Sequence, residues 1–379
     1  MRIYRVGESS EREEILAQLG VEPAGISIMS KKMQLLWIAI RGLATPAANI
    51  LKQDALSIGA ELAVPRDTVL CRRDRVDCLL IANRKQIEIL SRKERVQPFG
   101  LKELAHTLES FLVREPNEIS LMAVLNINSD SFYPKSRFEA RFAVEEARRM
   151  IEQGADIVDI GAVSSRPGSK SVEEEEELAR LVPLLDAIEE SGLSERALFS
   201  IDSHTPVVVE YALKRGFRLV NDIRGASDAR LVELAVEYGA RYCIMHMQGE
   251  PENMQKAPSY EDVTAEVGEF FEERIERCER IGLKRDEIVL DVGIGFGKSL
   301  QHNLTLLKNH RNFLRYGCEL LVGASRKSMI DAIYPSPVEE RLPGTIAIHL
   351  KAIENGASIV RCHDVAEHRQ AIALWRAMS

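Results

Sequence analysis

The sequence predicts an α/β protein in two parts, a small mixed α/β domain over residues 1–112 and a (β/α)8 TIM barrel over residues 113–379. Three observations lead there. After residue 119, eight short apolar runs alternate with charged amphipathic stretches over about 260 residues, the size and rhythm of an eight-fold barrel. Each run is followed by a polar or ionisable residue, and in such a barrel the strand ends converge on one face. Residues 1–112 have elements but no such endings. A doubly wound open sheet is the rival, yet its first turn asks for G-x-G-x-x-G, which is missing after Leu125.

In the first part, Arg2–Val6 reads as a short strand, and Ser10 with Glu13 as a capping box for a helix that Gly20 ends. Leu35–Ile40 reads as a strand and Ala47–Ile58 as a helix stopped by Gly59. Val76–Ala82 is a further apolar run, followed by a basic helix and by an amphipathic helix, Leu101–Leu112, that Gly100 starts. Arg72, Arg73 and Arg75 read as a solvated basic loop. None of these has catalytic spacing. Arg114–Asn117, with Pro116, reads as the linker.

The barrel runs are Ser120–Leu125, Asp156–Ile160, Leu198–Ile201, Leu219–Val220, Tyr242–Met245, Ile288–Leu290, Leu320–Val322 and Ile359–Val360. Continuous apolar runs of this length suit parallel strands covered on both faces. Between them lie helical stretches such as Glu139–Gln153, Val172–Glu190, Pro206–Arg215 and Tyr260–Arg280. Gly154, Gly216, Gly239 and Gly356 close helices that lead into the next strand.

Net charge is −8, with no long basic run, so neither nucleic acid nor an anionic membrane is an expected partner. No apolar stretch has the length of a bilayer span, and Met1–Ser10 lacks a signal-peptide pattern. The six cysteines form no C-x-x-C pair and read as reduced, mostly buried thiols of a cytoplasmic protein.

The residues after the apolar runs are Asn126, Gly161 with Ser164–Ser165–Arg166, Asp202, Asn221–Asp222, His246, Asp291, Ser325–Arg326–Lys327, and Arg361 with His363–Asp364. Any one acid, amide or serine there could be a helix N-cap. Eight together, including a lysine and arginines that cannot cap, point to a ligand. Asp202, Asn221 and Asp291 suit the edge of a flat heterocycle, because buried donors and acceptors left unpaired are costly. Arg361 and His363, alternate residues at one strand end, suit phosphate oxygens. Asn126 could hold a Mg²⁺ that bridges a diphosphate. The acid run Glu173–Glu177 lies in a helical stretch and reads as a solvated face. Ile288–Ser299 nearly spells a Walker A loop, but Val292 stands where its first glycine is required. Gly293, Gly295 and Gly297 are expected at positive φ, with Lys298 adding a charge.

The segments LNINSDSF (125–132), DIGAVSSRPGS (159–169), IDSHTP (201–206), VNDIRG (220–225), IMHMQGEPENMQ (244–255), LDVGIGFGKSLQHN (290–303), VGASRKS (322–328), RLPGT (341–345) and IVRCHDVAE (359–367) resemble the dihydropteroate synthases in order and spacing. The resemblance covers about residues 119–376 and implies condensation of dihydropterin-methyl diphosphate with 4-aminobenzoate, releasing pyrophosphate. It places a pterin pocket on Asp202, Asn221, Asp291 and Lys327, with Met245 among the substrate contacts, and diphosphate contacts on Arg361 and His363. It further places a Mg²⁺ ligand on Asn126, a loop hydroxyl on Ser165, and the 4-aminobenzoate side on Arg166, Pro167, Phe296, Lys327 and Ser328. Asp202, Lys327 and Arg361 are the catalytic expectation, and a homodimer is the expected assembly. The first two βα loops are implied to close over the site.

The sequence departs from the family pattern at Asn128–Ser129, in the loop after Phe132, at Val163 where a glutamate is usual, at Ser165 for threonine and at Val292 for proline. These touch loop closure, not the reaction, and residues 1–112 have no counterpart in the minimal enzyme. Two rival functions share the barrel and its Asp/Asn pocket: a pterin-dependent methyltransferase and an inactive pterin-binding paralogue. Ser325–Arg326–Lys327–Ser328 and Arg361 with His363 favour a diphosphate substrate over the first. The intact Asp202, Asn221, Asp291, Lys327 and Arg361 oppose the second.

Overall fold

The computed structural model describes residues 12–112, 118–127, 137–162, 173–250 and 253–378. The chain divides into two compact units at Arg114/Glu115. Arg2–Val6, Ser10, Arg114–Asn117 and the departures at 128–132, 163 and 165 lie outside the described residues.

In the first unit β1 (Leu35–Ala44), β2 (Glu61–Ala63) and β3 (Arg75–Asn83) form an antiparallel sheet in the order β1-β3-β2. β1 outruns the expected Leu35–Ile40 because a bulge between Ile40 and Leu43 lets pairing resume, with Gly42 at φ +62°. β2 and the helix Pro23–Ser30 were not legible: three residues are too few for alternation, and the helix buries none of its residues. Strand pleat turns Ile38, Ile40, Val76, Leu80 and Ala82 to one face, where the helices Thr45–Ser57 and Arg84–Glu94 supply Ala48, Leu51, Ile87 and Leu90. Asn83 caps the second helix, accepting from the Gln86 N–H at 2.9 Å while the Gln86 side chain takes the Asn83 N–H at 2.8 Å.

The second unit is a closed parallel barrel. Its strands are β4 (Ser120–Asn126), β5 (Ile157–Gly161), β6 (Leu198–Asp202), β7 (Leu219–Asp222), β8 (Arg241–Met245), β9 (Ile288–Asp291), β10 (Glu319–Val322) and β11 (Ile359–Cys362). Each pairs with the next, and β11 closes on β4 with Val360 opposite Leu121. Among the described residues no helix is long and apolar enough to cross a membrane. All six cysteines are free and five are buried.

Pleat fixes what fills the bore. Met122, Ile157, Leu219, Cys243, Val289, Leu321 and Ile359 point inward as one apolar cluster, with Leu198 against it. Every strand contributes one member, so the bore has a dry floor. Outward-facing partners such as Leu121, Val158, Val220 and Leu290 belong to the core under the helices. Glu177 corrects the reading of Glu173–Glu177 as a wholly solvated face. It is 2% exposed and accepts from Ser203 Oγ and Thr205 Oγ1, both at 2.6 Å. Its helix, Glu174–Ser191, turns this one acid inward, and a buried carboxylate must find donors.

Candidate active site

Side chains two residues apart on a strand share a face. The tier above the apolar floor is therefore Val124, Asp159, Ser200, Asn221, Met245, Asp291, Gly323 and Arg361, each two positions beyond a floor residue. Asp202 lies one step further along β6. The floor is uniformly apolar and the next tier is mostly polar.

Arg361 is the hub. Its Nε donates to Asp159 Oδ2 at 2.7 Å, and its Nη2 reaches Asp159 Oδ2 at 2.6 Å and Asp202 Oδ2 at 2.7 Å. Asn221 Nδ2 donates to the same Asp159 oxygen at 3.1 Å. Burial works against the Arg361 charge, but Asp159 and Asp202 beside it raise its pKa above the ordinary value. Burial pushes the Asp202 carboxyl up to about 7 against the pull of Arg361, with Asp159 adding to the rise. One guanidinium thus serves two carboxylates.

Across the bore, Asp291 Oδ1 accepts the Gly293 N–H at 2.8 Å. Burial raises the Asp291 pKa, while Lys327 and that N–H restrain the rise. Burial lowers Lys327 to about 8 against the attraction of Asp291, so its amine carries a proton at neutral pH. Lys327 Nζ donates to the Ile294 carbonyl and lies 4.3 Å from the centroid of the Phe296 ring.

The loop after β9 can take this course only with glycine. A Cβ on Gly293 (φ +64°) would lie 2.1 Å from the His246 carbonyl oxygen, and one on Gly297 (φ +60°) 2.2 Å from that of Gln248. Lys298 ties the same loops together. Its Nζ meets Phe296 O at 2.9 Å, His246 O at 3.1 Å and His246 Nδ1 at 2.9 Å. Burial lowers its pKa to about 7 despite Asp291. A P-loop lysine reaches for phosphates, whereas this one is buried among protein acceptors, which removes the Walker A alternative.

The loop after β10 is held from behind. Arg326, at φ +55°, pairs with Asp364 through Nε at 3.0 Å and Nη2 at 2.6 Å, and its N–H donates to Thr345 Oγ1 at 2.9 Å. His349 Nε2 accepts the Ala324 N–H at 3.0 Å, and its Nδ1 lies 2.8 Å from His368 Nε2. His368 Nδ1 donates to the Asp364 carbonyl at 2.6 Å. Arg326 is therefore a clamp and not a rim group. The clamp leaves Lys327 in the mouth and brings Ser325 Oγ within 2.9 Å of His363 Nδ1.

Of the residues expected from sequence, Asp202, Asn221, Asp291, Lys327 and Arg361 meet in this cluster, with Met245 buried beside Asp291 in the register. Phe296 lies under Lys327. Asn126 ends β4, His363 is exposed, and Ser328 opens the helix Ser328–Ile333. Ser165, Arg166 and Pro167 lie outside the described residues. Asp222 turns away from the bore, capping the Arg224 and Ala226 N–H groups at 2.8 Å and accepting from Tyr242 at 2.7 Å. Sequence reasoning missed Asp159. Its signal was present: an acid inside the apolar run Ile157–Ile160, two positions from an inward residue.

The family described as pterin binding enzyme matches residues 122–363. A bifunctional dihydropteroate synthase/dihydropteroate reductase of Helicobacter pylori is 40% identical over 364 residues, 96% of this chain and 95% of that protein. The Yersinia pestis dihydropteroate synthase, solved as a sulfonamide drug complex, superposes with a TM-score of 0.64 at 37% identity, covering 69% of this chain and 94% of that one. The Thermus thermophilus enzyme solved with 4-aminobenzoate gives a TM-score of 0.62 at 38% identity, covering 69% and 95%.

Burial, with Lys298 alongside, lowers His246 from the ordinary 6.5 to about 3. Between these values the unfolded chain binds a proton that the folded chain refuses. Stability therefore falls as pH drops from 6.5 towards 3, by up to ~1.4 kcal/mol per pH unit from this group. His246→Gln keeps an acceptor for Lys298 and should remove one proton's worth of that slope in urea unfolding between pH 6 and 4. An unchanged slope would show that the folded ring takes up the proton.

Proposed function

The chain belongs to the pterin-binding enzymes and has dihydropteroate synthase function in folate biosynthesis, and we propose how its barrel mouth performs the reaction. The substrates are (7,8-dihydropterin-6-yl)methyl diphosphate and 4-aminobenzoate. The bond between the methylene carbon and the diphosphate oxygen breaks, and its electron pair leaves with pyrophosphate. The aniline nitrogen forms the new C–N bond and gives up one proton, yielding 7,8-dihydropteroate. The amine needs little activation, so the protein's work is to orient the partners and to stabilise charge as the bond to diphosphate lengthens.

The observation that supports this most is the polar tier standing directly on an apolar floor. Buried donors and acceptors left unpaired cost about 1–3 kcal/mol each, so a flat ligand with a matching edge is strongly selected. Asn221 and Asp291 meet that edge, and Lys327 donates beside Asp291. Asp202 and Arg361 flank the reacting methylene. Arg361 has Nε and Nη2 committed to carboxylates, so Nη1 is what it offers a diphosphate oxygen, with His363 outside it. Met245 adds an apolar contact. Arg166, Pro167, Phe296, Lys327 and Ser328 are the proposed 4-aminobenzoate side, with Ser165 as the loop hydroxyl, and that side is also the proposed sulfonamide site.

Magnesium fits here only as an ion that arrives with the diphosphate. Asn126 offers one neutral oxygen, and among the described residues no group of three or more His, Cys, Asp or Glu could hold a metal. A hard cation wants about six oxygens, most of which must then come from substrate and water. Bound so, it would neutralise charge on the departing diphosphate. The free thiols suit a reducing compartment, so the cytoplasm is the proposed location.

The Helicobacter relative favours a second activity. Its match spans 96% of this chain and so takes in most of the first unit, and its name includes a dihydropteroate reductase. We extend that activity to this chain as a two-electron reduction of the synthase product by a reduced nicotinamide or flavin. Oxidation of either reductant that depends on 7,8-dihydropteroate is expected, and no turnover with both would remove the activity.

For the synthase itself, pyrophosphate release should require both substrates together, and chelating divalent cations should slow it. Release without 4-aminobenzoate at the full rate would mark a simple hydrolase. Asp291→Asn should weaken pterin diphosphate binding by ~2–4 kcal/mol in calorimetry, because an amide donor then faces a ligand donor. Binding at wild-type strength would unseat Asp291 from the pocket.

A further inference from the structure

We propose that His349 is a positioning residue for Lys327, and that His368 holds the His349 ring in the orientation this needs. The inference rests on the synthase reading above and gives two buried histidines on the outer helices a role toward substrate.

Lys327 stands at the end of a tight turn, Ala324–Lys327, closed by its N–H on the Ala324 carbonyl at 3.4 Å. Arg326, the third residue of that turn, lies at φ +55°, which a residue with a side chain adopts only where its surroundings hold it. The hold comes from the helix Leu342–Glu354. Thr345 and His349 lie one turn apart on one face of it. Thr345 Oγ1 accepts the Arg326 N–H at 2.9 Å, and His349 Nε2 accepts the Ala324 N–H at 3.0 Å. Ala324 is fully buried, so without the imidazole its N–H would be left unpaired.

The protons of the two rings admit one arrangement. A backbone N–H only donates, so His349 Nε2 carries a lone pair and Nδ1 the hydrogen. That N–H points at His368 Nε2, 2.8 Å away, which must accept. His368 then carries its own hydrogen on Nδ1 and gives it to the Asp364 carbonyl at 2.6 Å. Every link runs one way, from the Ala324 N–H to the Asp364 carbonyl. An added proton on either ring would set N–H against N–H. Both rings are 1% exposed, and burial lowers the pKa of each. His368, Lys327 and His363 further oppose charge on His349, while Asp364 and Glu367 resist the fall at His368. The far end of the relay is itself tied to the turn. Asp364 pairs its carboxylate with Arg326, and it closely follows β11, which carries Arg361. The relay therefore sets the turn of Lys327 against the strand of Arg361.

The test compares two amides at one position, read as the Kd of pterin diphosphate by calorimetry, with melting curves alongside. Glutamine reaches as far as Nε2 and keeps an acceptor for Ala324, whereas asparagine, a methylene shorter, reaches only as far as Nδ1. His349→Asn should weaken binding ~10-fold, the cost of one unpaired buried donor, and His349→Gln less than ~3-fold. In a Lys327→Met background the two should bind within ~2-fold of each other, because effects that act through one group do not add. Equal Kd values for the two amides with Lys327 present overturn the inference, since a structural histidine would move melting points and not this difference. A ~10-fold difference that persists without Lys327 also overturns it. Should Lys327→Met bind too weakly to measure, the first comparison decides. If His349→Asn does not fold, His349→Leu, which also lacks the acceptor, replaces it. Ring NMR shifts near neutral pH, read without ligand, should show Nδ1–H on both rings, and the His349 Nδ1 proton should move upfield in His368→Leu. Nε2–H on His349 in the wild type, or a His349 proton unmoved in His368→Leu, overturns the relay. Failure of the wild-type chain to bind pterin diphosphate would sink the synthase reading, which the ring shifts do not touch.

Discussion

The site depends on how one buried positive charge is shared. Arg361 extends into the bore between Asp159 and Asp202, and each carboxylate owes its tolerable burial to that guanidinium. Without it, two acids in a dry barrel would repel one another. With it they become a fixed acceptor wall, and Asn221 is drawn into the same lattice. The opposite wall repeats the logic with a weaker pair. Asp291 and Lys327 are each held near the bore by backbone groups, Gly293 N–H for the acid and the Ile294 carbonyl for the amine. The mouth is therefore pre-organised before any ligand enters, the condition under which electrostatic stabilisation is most effective.

That pre-organisation is mounted on loops, which is unusual only until their bracing is traced. The loop after β9 is pressed so close to the His246 and Gln248 carbonyls that side chains are excluded at residues 293 and 297. Lys298 then bonds the two loops together from below. The loop after β10 is pinned through Arg326 to Asp364 and through His349 and His368 to the backbone at both ends. Several conspicuous ionisable residues of the barrel therefore face protein rather than ligand. Their chemistry serves rigidity, and the pKa shifts of His246 and Lys298 record their burial.

The first unit is a different kind of object. It has its own core, built from one face of a three-stranded sheet and the helices that follow β1 and β3. It repeats none of the barrel's design, in which polar ends converge because eight parallel strands share one direction. An antiparallel sheet sends its strand ends both ways, and its described residues gather no comparable cluster on one rim.

The sequence by itself determined the barrel and most of its mouth. Parallel strands buried on both faces must be written as apolar runs, and the polar residue ending each run has nowhere to go but the shared rim. Asp202, Asn221, Asp291 and Arg361 were legible for that reason. Only the tertiary structure decided which polar residues face inward. Asp159 sits in mid-strand, where a linear reading takes it for a stray acid, and closure of the barrel sets it against a residue 202 positions away. Arg326 and Lys298 resembled ligand groups in the chain and proved to be braces, because the direction of a side chain on a loop is set by its packing partners and not by its neighbours in sequence. Glu177 was lost in a run of glutamates, since helix phase against the Ser203–Thr205 loop, and not composition, chose the one that is buried.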